Sequence, residues 1–313
     1  MKASFKKILQ LYLSGAFVYL IGIIIINYLP YYQDILNARI QNIFIYIYLT
    51  YLIIAPVYYY FFSTRYSENK PLLFLRGIKR VFTKFRLKEE EKMAILFMGV
   101  KIFFLPLMIK FCLGNYGALK NMTDNFMWYP FALTLIFTLD TIVFTFGYTF
   151  EFKSLNNVVK SVEPTLFGWV VALICYPPFN GMVGKHIPWG ASDYAHFWTP
   201  EWTIFFQIIL LGFLLTYLWA TFALGPKASN LTNRGIVSRF PYSIVRHPAY
   251  ISKNLVWWIT MIPIINWKFA LGMSFWTLIY FFRAITEERH LLKDPDYVKY
   301  CKKVKWRFIP YIY

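Results

Sequence analysis

The sequence predicts an all-α, polytopic helical membrane protein with about eight transmembrane segments, two of them the arms of a C-terminal helical hairpin, and a cytoplasmic C-terminal cap. Three observations predict it. Of 313 residues, 58% are hydrophobic, 22% aromatic and only 15% charged, with mean hydropathy +0.45, whereas a soluble domain carries about 25% charged residues. Six apolar runs recur at membrane-spanning length. Finally, a further apolar stretch near the C-terminus is flanked on both sides by basic, motif-like segments.

The six runs are Leu11–Leu29, Ile43–Phe62, Met93–Leu113, Trp128–Phe150, Pro164–Val183 and Trp202–Leu224. Each approaches the ~20 residues a helix needs to cross, and each must be helical because lipid offers backbone polar groups no partner. Met1–Lys7 ahead of the first run resembles a signal sequence, but no small-residue cleavage pattern follows, so a retained first helix is expected. Pro56, Pro106 and Tyr176-Pro177-Pro178 mark kinks or breaks, the last ending the fifth helix early.

Charge orders these runs across the bilayer. All but six of the 33 Lys and Arg fall in the N-terminal tail and in alternate loops. The exceptions are Arg39, Lys120 and Lys185 in the opposite loops, and Lys101, Lys110 and Lys268 in apolar stretches or at the hairpin tip. Cytoplasmic segments are enriched in such residues. Both termini are therefore expected in the cytoplasm, and the net charge of +18 needs no nucleic acid to explain it. The loop 63–92, with nine basic residues and four acids, reads as a topology signal with an amphipathic surface helix, or as a clamp for anionic lipid headgroups.

The same rule folds the C-terminal stretch back on itself. Residues 226–253 carry five cations (Lys227, Arg234, Arg239, Arg246, Lys253), and the tail from Arg283 to Arg307 carries eight against four acids. With both flanks cytoplasmic, the chain must enter the bilayer and return, turning at Asn266-Trp267-Lys268 between two short tilted arms. Arg246-His247 and Glu287-Glu288 then meet at one face, whereas a single straight span would part them by roughly 30 Å.

Other polar features point less far. Cys112, Cys175 and Cys301 are widely spaced without a CxxC pair, so neither a disulfide framework nor a metal site is expected. Asp140 lies mid-span and is read as a structural partner of Lys101 or of a neighbouring helix, or else as part of an ion path.

The converging groups suit a nucleoside-bearing zwitterion. Arg246 offers a fork of donors to a carboxylate or phosphate, and Glu287 and Glu288 offer acceptors to ribose hydroxyls or an ammonium. Tyr242 and Tyr250 present faces that attract cations, a sulfonium included. Arg283 stands one turn before Glu287, on the same face.

The segment Phe240-Pro241-Tyr242-Ser243-Ile244-Val245-Arg246-His247-Pro248-Ala249-Tyr250 resembles the G-P-Y-x-x-x-R-H-P-x-Y element of integral-membrane methyltransferases. The run Phe281–Glu288, followed by Tyr297-Val298-Lys299-Tyr300 and Phe308-Ile309-Pro310, resembles their closing element. These are the isoprenylcysteine carboxyl methyltransferases and phospholipid methyltransferases, and the likeness covers about residues 222–313.

The resemblance implies S-adenosylmethionine as cofactor, held by Tyr242, His247, Pro248, Tyr250, Glu287 and Glu288 under the cap. It also implies Arg246 and Arg283 as the functional arginines that hold the acceptor's anionic group. The acceptor would be a membrane lipid or lipidated molecule entering from the bilayer: a prenylcysteine-like carboxylate, a lipid phosphate or a lipid headgroup. Residues 201–313 would form the catalytic region and 1–200 an N-terminal set of spans without assigned function. The chain departs from the family at Phe240, where Gly is usual, and at Ser229, where His is frequent.

The ending Tyr300–Tyr313 is also similar to that of sterol reductases and the lamin B receptor, which bind NADPH. Pro248-Ala249 and Ser252-Lys253 depart from their pattern. A reductase-like enzyme is thus the alternative expectation. A transporter using Asp140 and Lys101, or a scaffold that keeps the fold without the chemistry, is the non-enzymatic one.

Overall fold

A computed structural model describes residues 5–62, 68–122 and 126–312. The first residues of the signal-like start, the opening of the 63–92 loop at 63–67 and Tyr313 of the tail lie outside the described residues. The chain divides into two compact units, Met1–Lys110 and Phe111–Tyr313. Six helices among the described residues are long and apolar enough to cross a membrane, so the all-α, polytopic membrane class holds.

In the first unit, α1 (Phe5–Tyr28) packs against α2 (Pro30–Ile35), α3 (Ala38–Phe62) and α4 (Lys70–Lys84). Asn69 ties three of them. Its side chain caps α4 by accepting from Leu72 N, and its Nδ2 donates to Leu11 O (2.9 Å) and Tyr59 Oη (2.8 Å). Helix α4 occupies the basic loop and leaves Val81, Phe82 and Phe85 exposed, the pattern of a helix lying at an interface. Arg80 of α4 meets the buried Glu91 at the start of α5 (Glu89–Asn121) at 2.9 Å. Lys101, further along α5, lies over the ring of Phe97, 5.4 Å away.

The second unit positions the site. Helices α6 (Trp128–Thr149) and α9 (Pro200–Leu224) pack together around Tyr129, Leu133, Ile136, Leu210, Leu214 and Leu218. They run parallel. Tyr129 and Phe197 share one end of this core, while at the other end Gly147 touches the backbone of Pro226 and Ala228.

Parallel neighbours need a return between them. The sequence predicts one span there, Pro164–Val183. Instead the return is broken into α7 (Leu166–Leu173) and α8 (Phe179–Gly184), neither long enough to cross. Pro177 and Pro178 carry no N–H for the carbonyls a turn earlier, and the residue before a proline avoids the helical region. The return starts at β1 (Ser161–Val162), which pairs antiparallel with β2 (Thr232–Asn233), and ends near Phe197.

The hairpin forms. Helix α10 (Pro248–Met261) descends and a short 3-10 turn over Ile262–Ile264 follows. Asn266 then caps α11 (Trp267–Leu291) by accepting from Lys268 N and Phe269 N. The two arms are unequal, which corrects the expectation of two short ones. Pro263 stops α10 at 14 residues, about 21 Å. No breaker interrupts α11, which runs 25 residues and carries the helix through Glu287 and Glu288. Helix α12 (Pro295–Lys303) follows.

Asp140 is a structural residue. Its carboxylate accepts from Tyr217 Oη (2.9 Å) and Thr221 Oγ1 (2.6 Å) of α9, which joins the two parallel helices. Asp140→Asn leaves one hydroxyl facing an amide donor. The expected result is about 1–3 kcal/mol lower stability, read by thermal unfolding in detergent, and an unchanged midpoint would remove Asp140 as the tie.

Candidate active site

Pro248 opens α10 at its first turn, where its missing N–H costs nothing. His247 immediately precedes it, and the backbone of the motif is clasped by the C-terminal tail. Arg246 N donates to Trp306 O and His247 N to Arg307 O, both at 2.9 Å. Thus the tail, the start of α10 and the end of α11 meet.

Glu288 is the hub. It is 3% exposed and accepts from Arg246 Nη1 (3.2 Å), His247 Nε2 (3.0 Å) and Arg307 Nε (2.9 Å). A carboxylate can only accept, so His247 carries a proton on Nε2, and in the neutral ring Nδ1 is the remaining base. The residues expected to converge through the hairpin do so. A straight span would have held them a bilayer apart.

Beside the hub, Tyr250 donates to Glu287 Oε2 at 2.7 Å, and its ring stacks on His247 with centroids 5.3 Å apart. Arg283 is buried over the faces of Tyr250 (5.1 Å), Tyr176 (5.7 Å) and Tyr280 (5.8 Å). Its Nη2 donates to Asn230 Oδ1. Asn230 is fixed in turn, donating from N to Tyr148 Oη (2.7 Å) and from Nδ2 to Tyr176 Oη (3.0 Å). Arg283 and Glu287 share a helix face and meet through Tyr250, whose ring lies under the guanidinium and whose hydroxyl donates to the carboxylate.

Tyr242 stands apart from the hub. It packs with Tyr297, Tyr300 and Val304, and its carbonyl accepts from Tyr300 Oη at 2.7 Å. Burial pushes its phenol up, with the Glu287 charge adding to the effect, so it remains a neutral donor. Arg246 is largely committed. Beyond Glu288, it donates from Nη1 to Cys301 Sγ (3.3 Å) and from Nη2 to Lys305 O (3.2 Å). Its Nε is buried without a partner.

Sequence reasoning missed Tyr148, Tyr176, Asn230 and Arg307. Asn230 adjoins the Ser229 position to which the family pattern draws attention. Ser229 itself accepts from Arg234 Nε at 2.9 Å. Tyr176 reads only as the residue before a proline pair. The other departure, Phe240, is half exposed and meets Trp219 edge-on, 5.9 Å between centroids, outside the cluster.

Membrane-length helices that end in a buried Arg-His-Glu hub, beside a carboxylate and a tyrosine cage, define a helical membrane protein with a candidate small-molecule site at that hub. Residues 194–294 match the family model described as phospholipid methyltransferase, one of the families that the motifs resemble. That match takes in α9, α10, α11 and the hub, but leaves Tyr148, Tyr176 and Arg307 outside. The likeness to sterol reductases has no counterpart in it. No curated protein and no solved structure matches the chain.

Proposed function

We propose that this chain transfers a methyl group from S-adenosylmethionine to an amphiphilic acceptor in the bilayer, a phospholipid or lipidated molecule. The observation that supports it is the convergence of Glu287, Tyr250 and the tyrosine cage at the end of the hairpin. The residues present fit the cofactor. Glu287 supplies an acceptor for a ribose diol, the three tyrosine faces already surround one cation in Arg283, and Arg246 Nε is a buried donor that a carboxylate or phosphate oxygen would satisfy. When bound, the cofactor supplies an electrophilic methyl group on a sulfonium.

The protein's own task is positioning, which can contribute several kcal/mol. Glu288 fixes His247 and Arg246, and Asn230 fixes Arg283. Arg283 and Arg246 are proposed to face the acceptor's anionic group, Arg246 through Nε. An acceptor that arrives ionised needs no base; an amine acceptor would give its proton to His247 Nδ1. Residues 201–313 are taken as the catalytic region. The site end is taken as cytoplasmic, since Lys153, Lys160, Lys227, Arg234 and Arg239 crowd it.

Calorimetric titration of detergent-purified protein with S-adenosylmethionine, and separately with NADPH, tests the reading. Glu287→Gln and Tyr250→Phe should each weaken S-adenosylmethionine binding about 10- to 100-fold, the worth of one hydrogen bond to a charged group, while the unfolding midpoint holds. Unchanged affinity in both variants, or binding of NADPH instead, defeats the proposal.

A further inference from the structure

Next to the hub, but built from other residues, lies a cavity of about 870 Å3. It is strongly basic. Lys153, Lys160, Lys227, Arg234, Lys299 and Lys303 line it, with Asp296 as the one acid in the wall. None of the residues assigned to the cofactor or the acceptor lines it, although Lys299 and Tyr300 of the closing element do. Tyr300 forms part of the wall and donates to Tyr242 O, so it stands between the cavity and the Tyr242 segment.

The frame is rigid. Pairing of β1 with β2 sets Lys160 beside Arg234, and Arg234 is buried, donating from Nη1 to Asn157 O at 2.9 Å. Lys299 and Lys303 stand one turn apart on α12, facing the same space. Between the two loops, Gly235 is in the left-handed region at φ +91°. A Cβ there would lie 3.2 Å from Lys227 Nζ and 3.9 Å from Lys160 Nζ. The two ammoniums therefore flank one point and stand no more than about 7.1 Å apart, a separation at which like charges repel.

Nearby carboxylates do not balance this set. Asp294 pairs with Lys160 (3.1 Å) and Asp296 with Lys299 (3.5 Å), and the charge of Glu151 also acts on Arg234. The wall itself holds six cations and one acid. S-adenosylmethionine, with one net positive charge, is the wrong ligand for such a wall. An anion that bridges Lys160 and Lys227 would relieve their repulsion.

We propose that this cavity binds a phosphate-bearing anion, at a site apart from the methyl-transfer cluster. Phosphate oxygens match several ammoniums and a guanidinium at once through charge-assisted hydrogen bonds. The group could come from a lipid headgroup or from a soluble phosphate, and two probes separate these sources. The proposal does not depend on the methyl-transfer reading.

The test titrates full-length protein in detergent by calorimetry with inorganic pyrophosphate in one arm and with short-chain phosphatidate in the other, using short-chain phosphatidylcholine as reference. The combined variant Lys160→Gln, Lys227→Gln, Lys299→Gln should bind the phosphate probes at least roughly tenfold more weakly. The matching Lys→Arg variant should restore binding, which a loss of fold would not allow. Saturable binding in either arm, lost with Gln and kept with Arg, sustains the proposal, and the arm that binds names the source. No saturable binding in either arm, or equal binding by wild type and the Gln variant, overturns it. Binding of S-adenosylmethionine by the Gln variant is followed separately, so that failure here is distinct from failure of the enzymatic reading.

Discussion

Replacement of Glu288 by alanine should lower stability by about 3–5 kcal/mol, the usual cost of leaving buried charge without its partner. The carboxylate is the common acceptor of Arg246, His247 and Arg307, and the side chains of Arg246 and His247 are themselves nearly buried. Water cannot replace the lost acceptor without opening the junction of α10, α11 and the tail. Glu288→Gln keeps the shape and one acceptor oxygen, and should fall between wild type and alanine.

The exposed pair Lys299–Asp296 makes a control, with side chains 75% and 63% exposed; Asp296→Asn should cost at most about 1 kcal/mol. A second readout follows from geometry. Arg246 and His247 hold the backbone at 305–307, so loosening the hub should make the C-terminal tail open to limited proteolysis before the bundle unfolds. If Glu288→Ala unfolds no earlier than Asp296→Asn and keeps its tail protected, Glu288 is not the hub.

How far the sequence predicts this site can be traced residue by residue. The hairpin was legible because charge constrains topology, and basic flanks on both sides of one apolar stretch leave no other path. The helical class and five of the six membrane-length helices were legible from hydropathy, the sixth being α11, the long arm of the hairpin. The broken return through α7 and α8 was less so. Its residues are as apolar as a span, and the proline pair signals a kink as readily as an interruption. Asn230, Tyr176 and Tyr148 were out of reach for a different reason. The hydrogen bonds that join them to one another and to Arg283 span 53 to 82 residues of chain, and only the parallel packing of α6 and α9 brings those segments together. The basic cavity was visible only as charge. Lysines that orient a loop toward the cytoplasm and lysines that converge on a ligand look alike until β1 and β2 are paired.

That parallel packing yields the other large expected effect, at Gly147. A Cβ at this position would sit 2.1 Å from Ala228 O, 3.2 Å from Ala228 C and 3.5 Å from Pro226 O, far inside van der Waals contact with backbone. The facing segment has little room to yield. Asn157 Nδ2 holds Pro226 O at 3.2 Å, Tyr148 Oη holds Asn230 N at 2.7 Å, and Arg239 Nε holds Ala223 O at 2.9 Å. Gly147→Ala should therefore part α6 from the segment after α9, at a cost of about 1–3 kcal/mol or more. The damage should reach the site, since Asn230 sets Arg283 over the tyrosine cage. Gly212→Ala on α9 is the counterpart, because a Cβ there meets nothing within 4 Å. In a helix interior that change should stabilise by about 0.5–1 kcal/mol. Unfolding midpoints of the two variants should thus move in opposite directions, and only Gly147→Ala should weaken S-adenosylmethionine binding. Equal midpoints would mean that α6 and the 225–230 segment do not touch, and the support of Arg283 by Asn230 would lose its physical basis.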